Sequence, residues 1–195
     1  EHYCVAIGLM VDGEPVAGVL ASPAFYSDEP DPPFDLGALT YASRGGGAYI
    51  EALGGSERVP IRVSAINDPK QATLLTSRDA GHSDFDFIDH VSRALGRGPD
   101  APQRHLDSQD KHAMLAAGMG EIYLRLVPET NFREKLWDHA AGYAIVTEAG
   151  GRVTDIHGQP IDWTVGPRMM NNRGVLMTNG YLHDAVLAAI ASSDF

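Results

Sequence analysis

The chain has 195 residues, 44% of them hydrophobic, and a formal net charge of −11. The apolar share can build a packed core, and the acidic balance excludes a nucleic-acid polymer as the main partner, because that binding is led by Lys and Arg. One cysteine, Cys4, excludes an internal disulfide framework and a cysteine-rich zinc site.

The opening residues, EHYCVAIGLM, read as a buried strand. Segments 3–11 and 16–22 predict two strands joined by Asp12-Gly13, a strong hairpin signal. With no initiator Met and a core strand at its start, the chain is expected to be a fragment, or one chain of a cleaved protein. Residues 23–37 hold four prolines and four acids and predict an exposed loop. Segments 39–43 and 48–52 predict a second hairpin about Gly45-Gly46-Gly47, and 59–64 a further short strand. A strand is expected at 72–76. Phe85, Ile88, Val91 and Leu95 recur at helical spacing and predict an amphipathic helix over 84–96. A short strand at 105–106 precedes a helix capped by Ser108, reaching about Ala117 and stopped by Gly118. A strand is expected at 122–126, then a helix opened by Asp138 and ended by Gly150-Gly151. Strands at 153–156 and 175–178 and a helix at 181–191 complete the chain. The antiparallel pattern of 1–66 and the strand–helix alternation of 67–195 predict two parts, the second a layered α/β arrangement. No apolar run approaches the roughly 18–20 residues of a membrane span. The lone thiol and the absence of a recognisable signal segment fit a cytoplasmic, reducing compartment.

The strongest chemical signal is Trp137-Asp138-His139-Ala140-Ala141-Gly142, running on to Gly151. A carboxylate at a helix start can face a cation while the free amides attract anions. Small residues at 140–142 let that helix pack closely on its neighbours. By spacing alone, Asp138 reads more readily as a simple N-cap than as a metal ligand. Ser108 and Lys111 stand three apart at a helix start, placing a hydroxyl and an ammonium on one face, although Ser108 also reads as a cap and Lys111 as a solvated charge. Arg125 lies on an alternating strand, facing either water or an anion. His82 sits in a Gly-His-Ser turn. His139 and His157 form no ligand spacing, and Gly45–Gly47 is not a phosphate loop, since no Gly-Lys-Ser/Thr follows. Met114 and Met119 are expected in the core.

Residues 137–151 resemble the second signature of the inositol monophosphatase superfamily. Within it, HLDSQDKHAMLAAGMGEIYLRL (105–126), EKLWDHAAG and NRGVL are similar to the 3′(2′),5′-bisphosphate nucleotidases. The resemblance spans nearly the whole chain and is weakest at 23–37 and 53–57. It implies the C-terminal portion of an α-β-α-β-α sandwich, with 1–66 the remainder of the first domain, 67–195 most of the second, and the active site between them. It also implies an Mg2+-dependent phosphatase that hydrolyses the 3′-phosphate of adenosine 3′,5′-bisphosphate to AMP, extends to phosphoadenosine phosphosulfate, and is inhibited by lithium.

Position by position, the resemblance makes Asp138 the metal ligand, catalytic and also near the ribose. Ser108, Lys111, Arg125 and His82 become nucleotide contacts. The family's first signature, Asp-Pro-Ile/Leu-Asp-Gly-Thr, and an earlier acidic pair supply the other metal ligands; neither motif occurs in this sequence. The expected partners are therefore a nucleotide bisphosphate and a missing N-terminal segment, in the same protein or in a second chain. The alternatives are an inositol phosphate phosphatase of the same superfamily and a fragment that binds nucleotide without turnover.

Overall fold

The structure is a computed structural model in which the described residues are 3–25, 37–78, 84–126 and 132–192. The first sheet is an antiparallel meander of β1 (Val5–Val11), β2 (Glu14–Ser22), β3 (Ala38–Ser43), β4 (Gly47–Ala52) and β5 (Val59–Ile61), hydrogen-bonded in that order. The β1–β2 turn is the expected pair: Asp12 and Gly13 both have positive φ, 51° and 79°. Two consecutive positive φ values match the right-handed twist of the flanking strands. Burial then alternates with period two. Gly18, Leu20 and Ser22 are buried on β2, as are Ala38, Thr40 and Ala42 on β3 and Ala48 and Ile50 on β4. The opposite face carries Val5, Ile7 and Leu9 of β1, which are 59%, 64% and 56% exposed; β1, expected as a buried strand, is thus an edge strand exposed at every position but Met10.

The second sheet has β6 (Leu74–Ser77) between two parallel neighbours, β7 (Gln103–Leu106) and β8 (Ile122–Arg125). Strand β10 (Val175–Thr178) runs antiparallel to β8, and β9 (Arg152–Thr154) antiparallel to β10. Helices α1 (Phe85–Ala94) and α4 (His183–Ala191) lie on one side of it, and α2 (Asp110–Ala116) and α3 (Ala140–Glu148) on the other. One core joins Leu20 and Ile50 of the first sheet to Met114, Leu115, Ile145 and Val146 of α2 and α3, and on to Tyr123 and Met177 of the second sheet. A second core seals Phe87, Ile88, Val186 and Ile190 against Ile122, Leu124 and Leu176. The described residues thus stack as sheet, helices, sheet, helices. These are four consecutive layers of the expected α-β-α-β-α order. Met114 is buried, and Met119 packs half-buried against the first core.

Helix α3 is held against the first sheet by absent side chains. A Cβ on Gly18 would lie 2.2 Å from the Ala141 carbonyl oxygen. One on Gly142 would lie 2.1 Å from His112 Nδ1. The small residues at 140–142 therefore do what their sizes suggest, letting the helix backbone approach β2 on one side and α2 on the other. Glu148, near the C-terminal end of α3, accepts from the Gly45 and Gly47 amides at 2.9 and 3.1 Å. Those turn amides are occupied by a protein carboxylate, which agrees with their not being a phosphate loop.

Several boundaries differ from the sequence reading. Strand β5 stops at Ile61 rather than 64, because the Val63 amide leaves the sheet to donate to the Ala149 carbonyl at 3.1 Å. The segment that follows is pinned to the second sheet: Ser64 Oγ donates to Glu121 Oε1 at 2.6 Å, and Asn179 Nδ2 to the Ile66 carbonyl at 2.7 Å. Helix α2 begins at Asp110 with Gln109 at its N-cap, so Ser108 is not the cap. Asp138 does not open α3 either. It closes a single 3-10 turn, Leu136–Asp138, and His139 takes the N-cap position. The acidic, proline-rich stretch falls mostly at 26–36, outside the described residues.

Candidate functional site

A cavity of about 650 Å3 opens between the N-terminal end of β1, the β7–α2 turn, β8 and the start of α3. Ligand sites commonly measure about 300–1,000 Å3. Ser108, Lys111, Arg125 and Asp138 all line it. The structure therefore gathers four of the five residues singled out in the sequence. The fifth, His82, lies outside the described residues.

Each arrives by a different local route. Ser108 has φ +54°, a left-handed backbone uncommon for a residue with a side chain. Such a conformation costs on the order of 1–3 kcal/mol and persists only where its surroundings enforce it. It turns the chain sharply between β7 and α2. Lys111 follows on α2 and is 97% buried, at 3% exposure. Its Nζ donates to the Leu106 carbonyl at 2.8 Å and sits 6.0 Å from the centre of the Tyr123 ring. Burial, aided by the neighbouring Arg125 charge, lowers its pKa to about 8, against the opposing pull of Asp107 and Asp110.

Arg125 is placed by the period of β8. Ile122 and Leu124 point into the core beneath α1 and α4. Tyr123 and Arg125 take the other face and line the cavity. Arg125 Nε donates to Glu134 Oε1 at 2.9 Å, and the other oxygen of Glu134 accepts from His139 Nε2 at 3.1 Å. Burial by itself would raise the Glu134 carboxyl. The hydrogen bond from His139, then the charge and hydrogen bond of Arg125, outweigh it and hold the group below the ordinary carboxylate range. Glu134 is therefore ionised and accepts only, which fixes the His139 proton on Nε2.

Asp138 is half-buried at the cavity wall. Its carboxylate does not cap α3, and among the described residues it accepts no side-chain hydrogen bond. His112 packs beneath this corner, edge-on to Tyr123 at 5.0 Å and tilted against His139 at 5.7 Å between ring centroids. Complete burial, with His139 and Lys111 nearby, pushes its pKa well below the usual imidazole value, so the ring is neutral.

The cavity combines Lys111, Arg125 and Lys135 with two carboxylates, Asp107 and Asp138. Three cations converging on an otherwise strongly acidic chain make an anion site, and a guanidinium beside an ammonium suits phosphate oxygens. Among the described residues it is incomplete as a magnesium site. Magnesium prefers carboxylate and water oxygens, and Asp138 offers one such group. Among the described residues no three His, Cys, Asp or Glu side chains are grouped to hold a metal ion.

The family model described as the inositol monophosphatase family matches residues 1–194. The chain belongs to that family. It is 38% identical to a 3′(2′),5′-bisphosphate nucleotidase of Oryza sativa, over 97% of this chain and 54% of that one. It is 37% identical to a probable 3′(2′),5′-bisphosphate nucleotidase 4 of Arabidopsis thaliana, over 99% and 54%. The chain therefore spans about half the length of the curated relatives it matches. Among solved structures it is similar to the extragenic suppressor protein suhB of Bartonella henselae, with a TM-score of 0.71, 23% identity, and coverage of 97% of this chain and 62% of that one. The Thermotoga maritima IMPase gives a TM-score of 0.68, 23% identity, and coverage of 96% and 60%. These structural likenesses speak to the fold.

Inositol monophosphatase family members are metal-dependent phosphatases, and the cavity shows which side chains the sequence reading passed over. Tyr123 was within reach, since period two puts it on the Arg125 face. His112 adjoins Lys111 but carries no spacing signal. Glu134 and His139 stand five apart across a 3-10 turn, a separation that no regular helix or strand period makes meaningful. His157, by contrast, is exposed and away from the cavity. Among the described residues no helix is long and apolar enough to cross a membrane.

Proposed function

We propose that this chain is the substrate-binding part of a 3′(2′),5′-bisphosphate nucleotidase that hydrolyses the 3′-phosphate of adenosine 3′,5′-bisphosphate, and also takes phosphoadenosine phosphosulfate. The convergence of Ser108, Lys111, Arg125 and Asp138 on one cavity carries this reading. It is supported by the names of relatives 34–38% identical over nearly the whole chain. Lys111 and Arg125 hold phosphate oxygens, Ser108 contributes a hydroxyl, and Asp138 serves both the ribose and a magnesium ion. Magnesium, when bound, supplies charge neutralisation and an activated water. The described residues do not complete its ligand set; the remaining carboxylates would come from outside them, in the same polypeptide or a second chain. The exposed apolar face of β1 supports an additional layer there. The division at 66/67 is proposed as the junction of two domain parts, with Cys4 and Ala6 on one side of the cavity and the other lining residues on the far side.

The test uses the complete enzyme. Lys111→Ala should lower kcat/KM for adenosine 3′,5′-bisphosphate by about 100-fold, from the loss of one or two charged hydrogen bonds. Turnover of an inositol monophosphate should fall by much less. Equal losses on both substrates would overturn the nucleotide assignment.

A further inference from the structure

Two residues that line the cavity, Arg125 and His139, depend on a third that does not. Glu134 is 3% exposed and is absent from the cavity lining. Its backbone is fixed on both sides. The Met169 amide donates to its carbonyl at 2.9 Å, and Lys135 forms an isolated antiparallel bridge with Arg168. The side chain thus enters from a braced strand-like segment, and both oxygens are used, one by Arg125 and one by His139.

The geometry at each end has a consequence. A guanidinium has five N–H donors in a planar fork. Glu134 takes the one on Nε, which fixes the plane of the fork and leaves the terminal nitrogens for Tyr123 and for the cavity. Burial works against the Arg125 charge, yet the neighbouring Tyr123 and Glu134 raise its pKa. The cation is therefore stable where a phosphate would meet it. At the other end, His139 is the N-cap residue of α3 and directly follows Asp138. Holding its ring fixes the turn that presents the Asp138 carboxylate.

We propose that Glu134 is a positioning residue. Its buried carboxylate ties the phosphate-gripping guanidinium of Arg125 to the His139 turn that carries Asp138, so that the anion-binding and metal-binding sides of the cavity keep one spacing. The role of Arg125 within this proposal rests on the reading given under Proposed function.

The experiment therefore uses a probe that does not require the nucleotide assignment. Binding of inorganic phosphate to the complete protein is measured by calorimetry for wild type, Glu134→Gln, Arg125→Ala and the double variant. Glu134→Gln keeps the volume and one acceptor, so the fold should survive, and thermal melting confirms it. It weakens the Arg125 bond by removing its charge. Phosphate affinity should fall about tenfold in Glu134→Gln, as expected when a charge-assisted bond that aligns the fork is lost. It should fall further in Arg125→Ala. The double variant should match Arg125→Ala, because Glu134 acts on phosphate through that guanidinium. A double variant weaker than Arg125→Ala by the same tenfold would overturn the proposal, as would wild-type affinity in a folded Glu134→Gln protein. Restoring the carboxylate in shorter form, as Glu134→Asp, should recover affinity in part, and no recovery would also count against it. If phosphate binding follows this pattern while adenosine 3′,5′-bisphosphate is not turned over, the nucleotide reading fails and the positioning role stands.

Discussion

At the scale of single residues, Lys111 carries a cost in stability. A buried ammonium with one carbonyl partner is disfavoured by desolvation, and its pKa falls from 10.5 to about 8. Below pH 8 both folded and unfolded chains carry the proton, and the full cost of burying the charge is present. Between about 8 and 10.5 the unfolded chain holds a proton that the folded chain has released. Stability therefore rises with pH across that window. Lys111→Met removes the charge but leaves the Leu106 carbonyl without its donor. The variant should be more stable than wild type at pH 7 by on the order of 1–2 kcal/mol, and this advantage should fade between pH 8 and 10.5. Urea unfolding at four pH values measures it. A constant difference from pH 7 to 10.5 would mean that Lys111 is not the group whose burial matters. Lys111 was singled out through its motif, because HLDSQDK is contiguous, and it lines the cavity. Glu134 was not, because its importance comes from contacts to Arg125, nine residues away on β8, and to His139 beyond the 3-10 turn, and no local pattern records such a meeting.

At the scale of elements, the sequence marks interiors better than ends. The two apolar segments and the Asp12-Gly13 turn between them mark β1 and β2. Helix α1 is found by its apolar spacing, and the structure adds a cap that the spacing did not point to, Asp84 accepting from the Phe87 amide at 3.0 Å. The starts of α2 and α3 were misplaced, since a left-handed Ser108 and a 3-10 turn at Leu136–Asp138 intervene, and both conformations are imposed by tertiary packing at the cavity rim. The same packing explains the glycines. Gly18 faces backbone, and the Ala141 carbonyl cannot rotate away as a side chain could. Gly18→Ala should therefore cost about 2–3 kcal/mol, seen as a fall in melting temperature on the order of 4–12 °C for a protein of this size. Gly45→Ala provides the contrast at a turn whose added Cβ meets nothing within 4 Å. Its only penalty is the positive φ of +73°, so its loss should be about 1 kcal/mol. Equal losses at the two positions would show that close approach of α3 to β2 is not what Gly18 provides.

At the scale of the whole molecule, two observations point the same way. The first sheet is covered by α3 on one face, while the other presents Val5, Ile7 and Leu9 to solvent at more than half exposure. The cavity, for its part, offers phosphate a buried ammonium and a half-buried guanidinium but holds too few grouped carboxylates among the described residues for a magnesium pair. A sheet face of this character is normally buried against another layer, and two-metal phosphoryl hydrolysis needs ligands around both the attacking and the leaving oxygen. One additional segment, packed on or beside the outer face of β1, would answer both. Cys4 and Ala6 at the start of β1 already form part of the cavity wall, so a segment placed there lies within reach of Asp138. Purified 1–195 should therefore bind phosphate weakly, bind an apolar dye through its first sheet, and show turnover below about 1 s−1, the lower end of ordinary enzymes. Adding a segment that carries the missing carboxylates should suppress the dye signal and raise turnover together, since one docking event produces both effects. Turnover at ordinary enzyme rates by 1–195 alone would show that its own residues complete the metal site. Rescue of activity with no loss of dye binding would separate the two observations and place the added segment away from the β1 face.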